Sequence, residues 1–549
     1  MDTGTTAYAF WAVVAIEAAA AALAATQFIH MLQLESYQGK MYLKWLFRHA
    51  GDALTFLMVG IVALALRASA AFLVHYGTLV ANIAYVGADA LYVLMLLLMY
   101  FADRKKEKKK PLVYTGRVKR LIAVLFLLSA AFAASLFISV EASPNGIPTW
   151  GAFLLLYGLR YLPGALLPLF VFLAWLITYP LEEAVKAWYF NDARNILKKR
   201  TDLIKIGITG SYGKTSAKHA LGEILKERYD VLYTPGSFNT PMGVSRVVRE
   251  KLKDDHNVFI AEMGARYKGD IEELCRLVGP RYGIITSVGK QHLETFGSLE
   301  NVVATKSELM EGIAENGACF FNGDNALCRE MYETSKLTDK FLFGTDGDGL
   351  YMKASELSVS AKGSRFALTA QGGESVACET KLLGRHNIIN IAGAAALAHF
   401  LGLTLEEIAA AIARLKPVEH RLELIEGPVT VIDDAFNSNP EGAKEALEVL
   451  KSFSGKRIVV TPGMVELGGE ESALNRAFGQ AMAKAADVAI LVGYERAEPI
   501  REGLMSLGFD EKNIVKAKSL NEAAELLKLY TEPGAAVLFE NDLPDNYDE

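Results

Sequence analysis

Seven consecutive residues, Gly210, Ser211, Tyr212, Gly213, Lys214, Thr215 and Ser216, carry the residue types that grip a nucleotide polyphosphate. Glycines let backbone N–H groups close round phosphate oxygens, Lys214 reaches the outer phosphates, and Thr215 offers a hydroxyl to Mg2+. An apolar run (Leu203, Ile204, Ile206, Ile208) precedes the turn and a helical pattern follows, so a helix N-terminus adds favourable partial charge. A strict P-loop has a glycine five residues before the second glycine of this turn. Ile208 stands there, which makes the turn a shortened variant. The bland alternative is a Gly/Ser turn that happens to carry a lysine.

Positioning such a turn takes a sheet with helices over it. From residue 203 onward, strand-like runs alternate with helical stretches: Val258–Met263, Tyr282–Val288, Val429–Ile432, Ile458–Thr461 and Val488–Val492. That rhythm predicts parallel sheets covered by helices. A helix over 387–400 is rich in small residues and packs closely, and short strands around 350–383 predict a meander within the nucleotide domain. Pro417 and the Glu-Gly-Pro turn at 426–428 bracket a boundary, giving a central domain over 203–417 and a C-terminal domain over 418–549. The net charge of −6 is too small for a bulk electrostatic argument for nucleic acid. Cys275, Cys319, Cys328 and Cys378 are scattered, with no C-x-x-C pair, and read as buried thiols in a reducing compartment.

Residues 1–180 differ from the rest, being dominated by Ala, Leu, Val and Phe. A bilayer core takes about 20 apolar residues per helix. Five spans are expected, at roughly 7–32, 51–70, 78–101, 119–141 and 152–180. Pro163 and Pro168 predict a kink or break in the last one. Asp89 and Arg160 are costly in lipid, so they are expected to face other helices, paired or lining a polar cavity. Lysines and arginines crowd segments 33–50 and 102–119 and the stretch after residue 180, whereas the loops around 71–77 and 142–151 hold none. That asymmetry predicts an outside N-terminus and a cytoplasmic C-terminal half, with 181–202 as a basic amphipathic linker. The run 104–110 reads as topology control and attraction to anionic lipid, or as a specific headgroup site. Asp2 stands before the first apolar run with no basic region, so a cleaved signal peptide is not expected.

Eight motifs in order resemble the Mur ligases. They are Thr209–Thr215, Phe238-Asn239-Thr240-Pro241-Met242-Gly243, Glu262-Met263-Gly264, Thr286–Glu294, Ala304–Glu308, Gly384–Asn387, Glu419–Glu423 and Asp433–Pro440. Order and spacing look most like the branch that adds D-alanyl-D-alanine to the UDP-muramoyl tripeptide, over about 203–530. The apolar spans of residues 1–180 and this resemblance over about 203–530 together give the expected fold, an α-helical transmembrane domain followed by α/β structure. The α/β part would be a P-loop-type central domain with a parallel sheet and a Rossmann-like C-terminal domain.

It also implies ATP-dependent amide-bond formation, in which a carboxylate becomes an acyl phosphate and an amine then attacks. ATP and a carboxylate must be brought together, so cations do most of that work. On this resemblance Lys214 is the phosphate lysine, and Thr215 and Glu262 hold one Mg2+. His292 ligates a second ion, and Lys306 matches a lysine that some members carry as a metal-bridging carbamate. Asn387 matches an adenine contact, Arg421 and Asp434 close over ATP, and Asn239, Thr240, Asn437 and Asn439 lie on the substrate side. The bland readings are a hydrogen-bonded loop histidine for His292, a cap carboxylate for Glu262, a surface lysine for Lys306 and a helix cap for Asn387.

Two departures shape the functional expectation. Family members of the soluble pathway begin with a small domain that grips UDP, and here 180 membrane residues stand in its place. The simplest physical reading is a substrate held at the membrane, as on a polyprenyl carrier. The branch also carries Lys-Gly-Ser-Arg after its last strand, where this chain has Phe539-Glu540-Asn541-Asp542-Leu543-Pro544. The acidic residues there either line the acceptor site and favour a cationic amine, or form a solvated tail. The expected activity is a membrane-anchored ligase joining a carboxylate of a cell-envelope precursor to an amino acid or peptide amine. Its rivals are a poly-γ-glutamate-type homopolymer ligase, a membrane-tethered ligase acting on UDP-muramoyl tripeptide and D-alanyl-D-alanine, and a non-enzymatic ATP-switched scaffold.

Overall fold

The structure, a computed structural model, describes residues 3–73, 78–106, 108, 110–141, 150–360, 362–436, 438–493 and 496–541. Asn437, the acidic stretch 542–549 and much of the loops 71–77 and 142–151 fall outside them. The chain forms two compact units, residues 1–185 and 186–543.

The first unit is built from helices Thr3–Ala24, Thr26–Leu34, Gly39–Arg48, Ala50–Phe72, Thr78–Arg104, Gly116–Glu141, Trp150–Ala165 and the first part of Leu167–Lys199. Among the described residues, four helical segments are long and apolar enough to cross a membrane: Phe10–Leu34, Ala50–Ala70, Ile83–Arg104 and Leu167–Lys199. The stretch expected as a single span over 152–180 is divided between Ala165 and Leu167. Pro168 sits in the first turn of the new helix, where its missing N–H leaves no bond unmade.

Apolar side chains point outward along these helices, among them Leu54, Met58, Ile61, Ile83, Val86, Leu94, Leu98 and Leu176. Inward, Arg160 grips the Glu17 carboxylate through two hydrogen bonds of 3.1 and 2.6 Å and reaches Asp89 at 3.0 Å. Arg67 and the Tyr161 hydroxyl both donate to the same Asp89 carboxylate, at 3.0 and 2.5 Å. Asp89 and Arg160 therefore pair, and two arginines balance two carboxylates in the interior.

The second unit holds two sheets. Its central strands are β1 (Ile204–Thr209), β2 (Val231–Tyr233), β3 (Val258–Glu262), β4 (Tyr282–Ile285), β5 (Ala318–Asn322), β6 (Asp339–Gly344), β7 (Leu350–Ser360), β8 (Gly363–Ala370) and β9 (Ser375–Thr380). They lie in the order β2-β3-β1-β4-β5-β6-β7-β8-β9. Pairing is parallel as far as β7 and antiparallel from β7 to β9, so the expected meander extends the same sheet.

The C-terminal sheet, β10 (Glu423–Ile425), β11 (Thr430–Asp434), β12 (Arg457–Thr461), β13 (Val488–Val492), β14 (Ile514–Ala517) and β15 (Ala536–Glu540), runs β10-β11-β15-β12-β13-β14. Only the β10–β11 pair is antiparallel. Helix Arg385–Phe400 is buried on nearly all sides, and a Cβ on Gly393 would come within 2.7 Å of the Phe343 ring, so glycine permits this contact. All four cysteines are buried and free.

Candidate active site

Parallel strands end on one side, and the loops leaving those ends meet there. After β1, Gly210 takes φ 154° and Gly213 φ 78°, and Gly213 caps helix Lys214–Leu225. A Cβ on Gly210 would sit 2.1 Å from Thr286 Oγ1, and one on Gly213 would sit 2.4 Å from Asn390 Oδ1. Both positions need glycine for conformation and for room. The turn is tied to the loop after β4: Ser211 N donates to Ser287 O at 2.6 Å, and the Tyr212 hydroxyl donates to Lys290 O at 2.6 Å. Lys214 Nζ folds back on the turn, donating to Gly210 O and Ser211 O at 2.7 and 2.9 Å.

Glu262 ends β3 and is fully buried. It accepts from Thr215 Oγ1 at 3.0 Å, Lys218 Nζ at 2.8 Å and Asn239 Nδ2 at 3.0 Å. Burial alone would raise its carboxyl, but Lys218 and Lys214, with hydrogen bonds from Lys218 and Asn239, hold it below the usual carboxylate range. Burial lowers Lys214 to about 8, with Glu262 pulling it back up and Arg421 pushing it further down. Lys306, buried in helix Leu299–Glu311, is pushed down to about 7 by burial and then by Lys214. Its ammonium lies 5.9 Å from the Phe296 ring centre and has no carboxylate within ion-pair distance among the described residues. It is therefore not a surface lysine.

His292 precedes the short helix Leu293–Phe296, in left-handed backbone at φ 52°. Its Nδ1 is hydrogen-bonded to the Glu466 carboxylate from the C-terminal domain. Burial lowers its imidazole below the ordinary histidine range, although Glu466 opposes this.

A cleft of about 860 Å3 opens beside the turn, lined by Tyr212, Gly213, Ser216, Asn322, Arg385, Asn387, Asn390, Arg421, Asp434 and Asn439. Asn387 is not the helix cap, a place taken by Gly384. Instead it donates to Leu383 O at 2.7 Å from the cleft wall. Arg421 lies over the Phe436 ring at 4.3 Å. Asp434 accepts from Leu422 N at 3.1 Å, and burial raises its carboxyl to about 6 against His386, the Leu422 N–H and Arg421.

Thr240 and Asn439 are N-caps, accepting from Gly243 N at 3.3 Å and Gly442 N at 2.8 Å. Glu540 belongs to no solvated tail: it is buried and accepts from Ser438 Oγ at 2.6 Å, and burial, then the nearby Asp434 carboxylate, raises its own carboxyl well above the usual range.

Sequence reasoning passed over Lys218, Asn390 and Glu466. Lys218 stands one helical turn beyond Lys214, so its share in the site was readable from spacing. Glu466 gives no such signal, lying 174 residues from its partner.

The residues fit a Mg–nucleotide. Lys218 pairs with Glu262 at 2.8 Å, Lys214 and Arg421 act on the same carboxylate electrostatically, and Arg421 also feels Asp434, so cations gather beside the turn where a polyphosphate would be drawn. No three His, Cys, Asp or Glu side chains converge as a metal cage among the described residues. Mg2+ suits such a place, because it usually takes one or two carboxylates together with phosphates and water.

Residues 208–398 match the family described as Mur ligase middle domain, and residues 420–540 match Mur ligase, glutamate ligase domain. The UDP-N-acetylmuramoyl-tripeptide–D-alanyl-D-alanine ligase of Escherichia coli (strain K12) is 34% identical over 286 residues, 52% of this chain and 62% of the relative. The chain thus spans about three fifths of that relative's length. Among solved structures, MurF from Acinetobacter baumannii aligns with a TM-score of 0.60 at 26% identity, over 65% of this chain and 77% of its own. The MurF ligase from Thermotoga maritima in complex with ADP gives 0.59 at 25% identity, over 65% and 80%. With the glycine turn, the buried Glu262 and the cleft between the two sheets all lying inside the matched segments, the chain belongs to the Mur ligase family through its middle and C-terminal domains.

Proposed function

We propose that the protein is a membrane-anchored, ATP-dependent carboxylate–amine ligase. It would convert a carboxylate of a cell-envelope precursor to an acyl phosphate and join it to an amino acid or short-peptide amine, releasing ADP and phosphate. The observation that carries this is the glycine turn holding Lys214, with Glu262 bonded to Thr215 and Lys218 behind it, beside a cleft with room for a nucleotide. Lys214 would draw charge off the outer phosphates, and the glycine turn would hold them. Thr215 and Glu262 would hold one Mg2+, and His292 with a carbamylated Lys306 a second. Bound Mg2+ would offset the phosphate charge as the carboxylate approaches. Carbamylation needs a neutral amine, and burial supplies one at Lys306 near pH 7.

Likeness to a D-alanyl-D-alanine ligase makes a muramoyl peptide the first donor to test and D-alanyl-D-alanine the first acceptor. The apolar outward faces of the first unit support attachment to a membrane and therefore a donor presented there. The deciding experiment measures amide product and phosphate from the full chain in detergent with Mg-ATP. Donors would be UDP-muramoyl tripeptide and polyprenyl-linked muramoyl peptide. Coupled product with either supports the reading, and hydrolysis of ATP without product rejects it.

A further inference from the structure

Glu466 belongs to a segment the nucleotide turn does not need, yet it reaches the site. Its loop is rooted in the C-terminal core: Met464 N donates to Asn475 Oδ1 and Asn475 Nδ2 to Met464 O, both at 2.9 Å, and Leu467 is buried. From there the loop meets two loops of the middle domain at once. The Glu466 carboxylate accepts from His292 Nδ1 through one oxygen and from Arg266 at 3.3 Å through the other. Its carbonyl lies 3.4 Å from Glu294 N. Glu466 and His292 both adopt left-handed backbone, at φ 62° and 52°, which is unfavourable for a non-glycine residue and persists where surroundings impose it.

A carboxylate only accepts, so the bonded Nδ1 carries the proton and a neutral ring keeps its lone pair on Nε2. Among the described residues, Nε2 has no hydrogen-bond partner.

We propose that Glu466 is the positioning residue that makes His292 a ligand: by accepting the Nδ1–H hydrogen bond across the domain boundary it fixes the ring with Nε2 ready for a divalent cation. The second metal position is then complete only while the C-terminal domain is closed on the middle domain. This deepens, and rests on, the reading of His292 as a metal residue. A plain staple between domains is the competing account, and the Lys290–Glu470 pair at 2.6 Å provides its control.

The test titrates Mn2+ into the full chain in detergent with a non-hydrolysable ATP analogue. Histidine nitrogen coupled to Mn2+ is read by electron spin-echo modulation. Wild type should show the nitrogen signal and His292→Ala should lose it. Glu466→Ala should weaken that ion about 10–100-fold, as loss of a partner behind a ligand does. Glu466→Gln, nearly the same shape and still an acceptor, should lose less, and Glu470→Ala should bind as wild type. The double variant Glu466→Ala/His292→Ala should be no weaker than His292→Ala alone.

Wild-type affinity in Glu466→Ala, additive losses in the double variant, or an equal loss in Glu470→Ala would overturn the proposal. Absence of any histidine signal in wild type would also overturn it, and would locate the fault in the reading of His292.

Discussion

Lys306 shows how a single buried side chain links stability to chemistry. Its folded-state amine titrates near 7, below the ordinary lysine value of 10.5. Between those values the unfolded chain binds the extra proton, so this group favours folding more as pH rises. Its cost is therefore largest below about pH 7 and fades toward the ordinary lysine range. Lys306→Met should stabilise the protein at pH 6 by about 1–4 kcal/mol, seen as a higher midpoint in thermal unfolding, while activity is lost.

In 13C-bicarbonate at fixed dissolved CO2, a carbamate carbon signal should grow as pH rises through 7 and be missing in Lys306→Met. A signal that persists in the variant would refute the assignment. Lys214→Ala should cut ATP turnover by about 100-fold or more with folding intact, and unchanged turnover would remove its phosphate role.

Motif spacing made Lys214, Glu262 and Lys306 legible because each follows a strand or lies on a helix with a fixed offset. Glu466 was not legible: its contact with His292 exists only through tertiary approach of two domains.

At the scale of elements, the turn after β1 is fixed twice, by positive φ and by lack of room. Gly213→Ala would bring a methyl within 2.4 Å of the Asn390 side chain at φ 78°. Calorimetric titration with ADP should show affinity reduced at least about 10-fold, with most of the stability kept, since helix Lys214–Leu225 is packed by buried Ala217, Leu221 and Ile224. Binding like wild type would mean that the turn is not the phosphate cradle.

The alternation of strands and helices was readable because parallel strands are apolar throughout. Where β7 to β9 would go was not, because alternating burial in an antiparallel meander says which face is inward but not which sheet it joins. The break at Ala165–Leu167 was half-readable. Two prolines five residues apart signalled an interruption, but only packing decides between a kink and two helices.

At the scale of the whole molecule, a helical unit with four segments long and apolar enough to cross a membrane, among the described residues, is joined in one chain to the Mur ligase domains. The interior ion cluster of Glu17, Arg67, Asp89 and Arg160 balances its own charge, which suits apolar surroundings. Arg160→Leu would strand Glu17 and should reduce the amount of folded protein recovered from membranes, whereas the paired variant Glu17→Gln/Arg160→Gln should recover part of it. Recovery of both variants equal to wild type would show that the cluster contributes nothing to folding.

The central claim, carboxylate activation by ATP followed by amide formation, is tested most directly with donor muramoyl peptide carrying 18O in its reacting carboxylate. The full chain in detergent would receive this donor in UDP-linked or polyprenyl-linked form, with Mg-ATP and D-alanyl-D-alanine. The account predicts one 18O atom in each phosphate released, matched one-to-one with amide product. Phosphate without label, or labelled donor left unjoined while ATP is consumed, would contradict it.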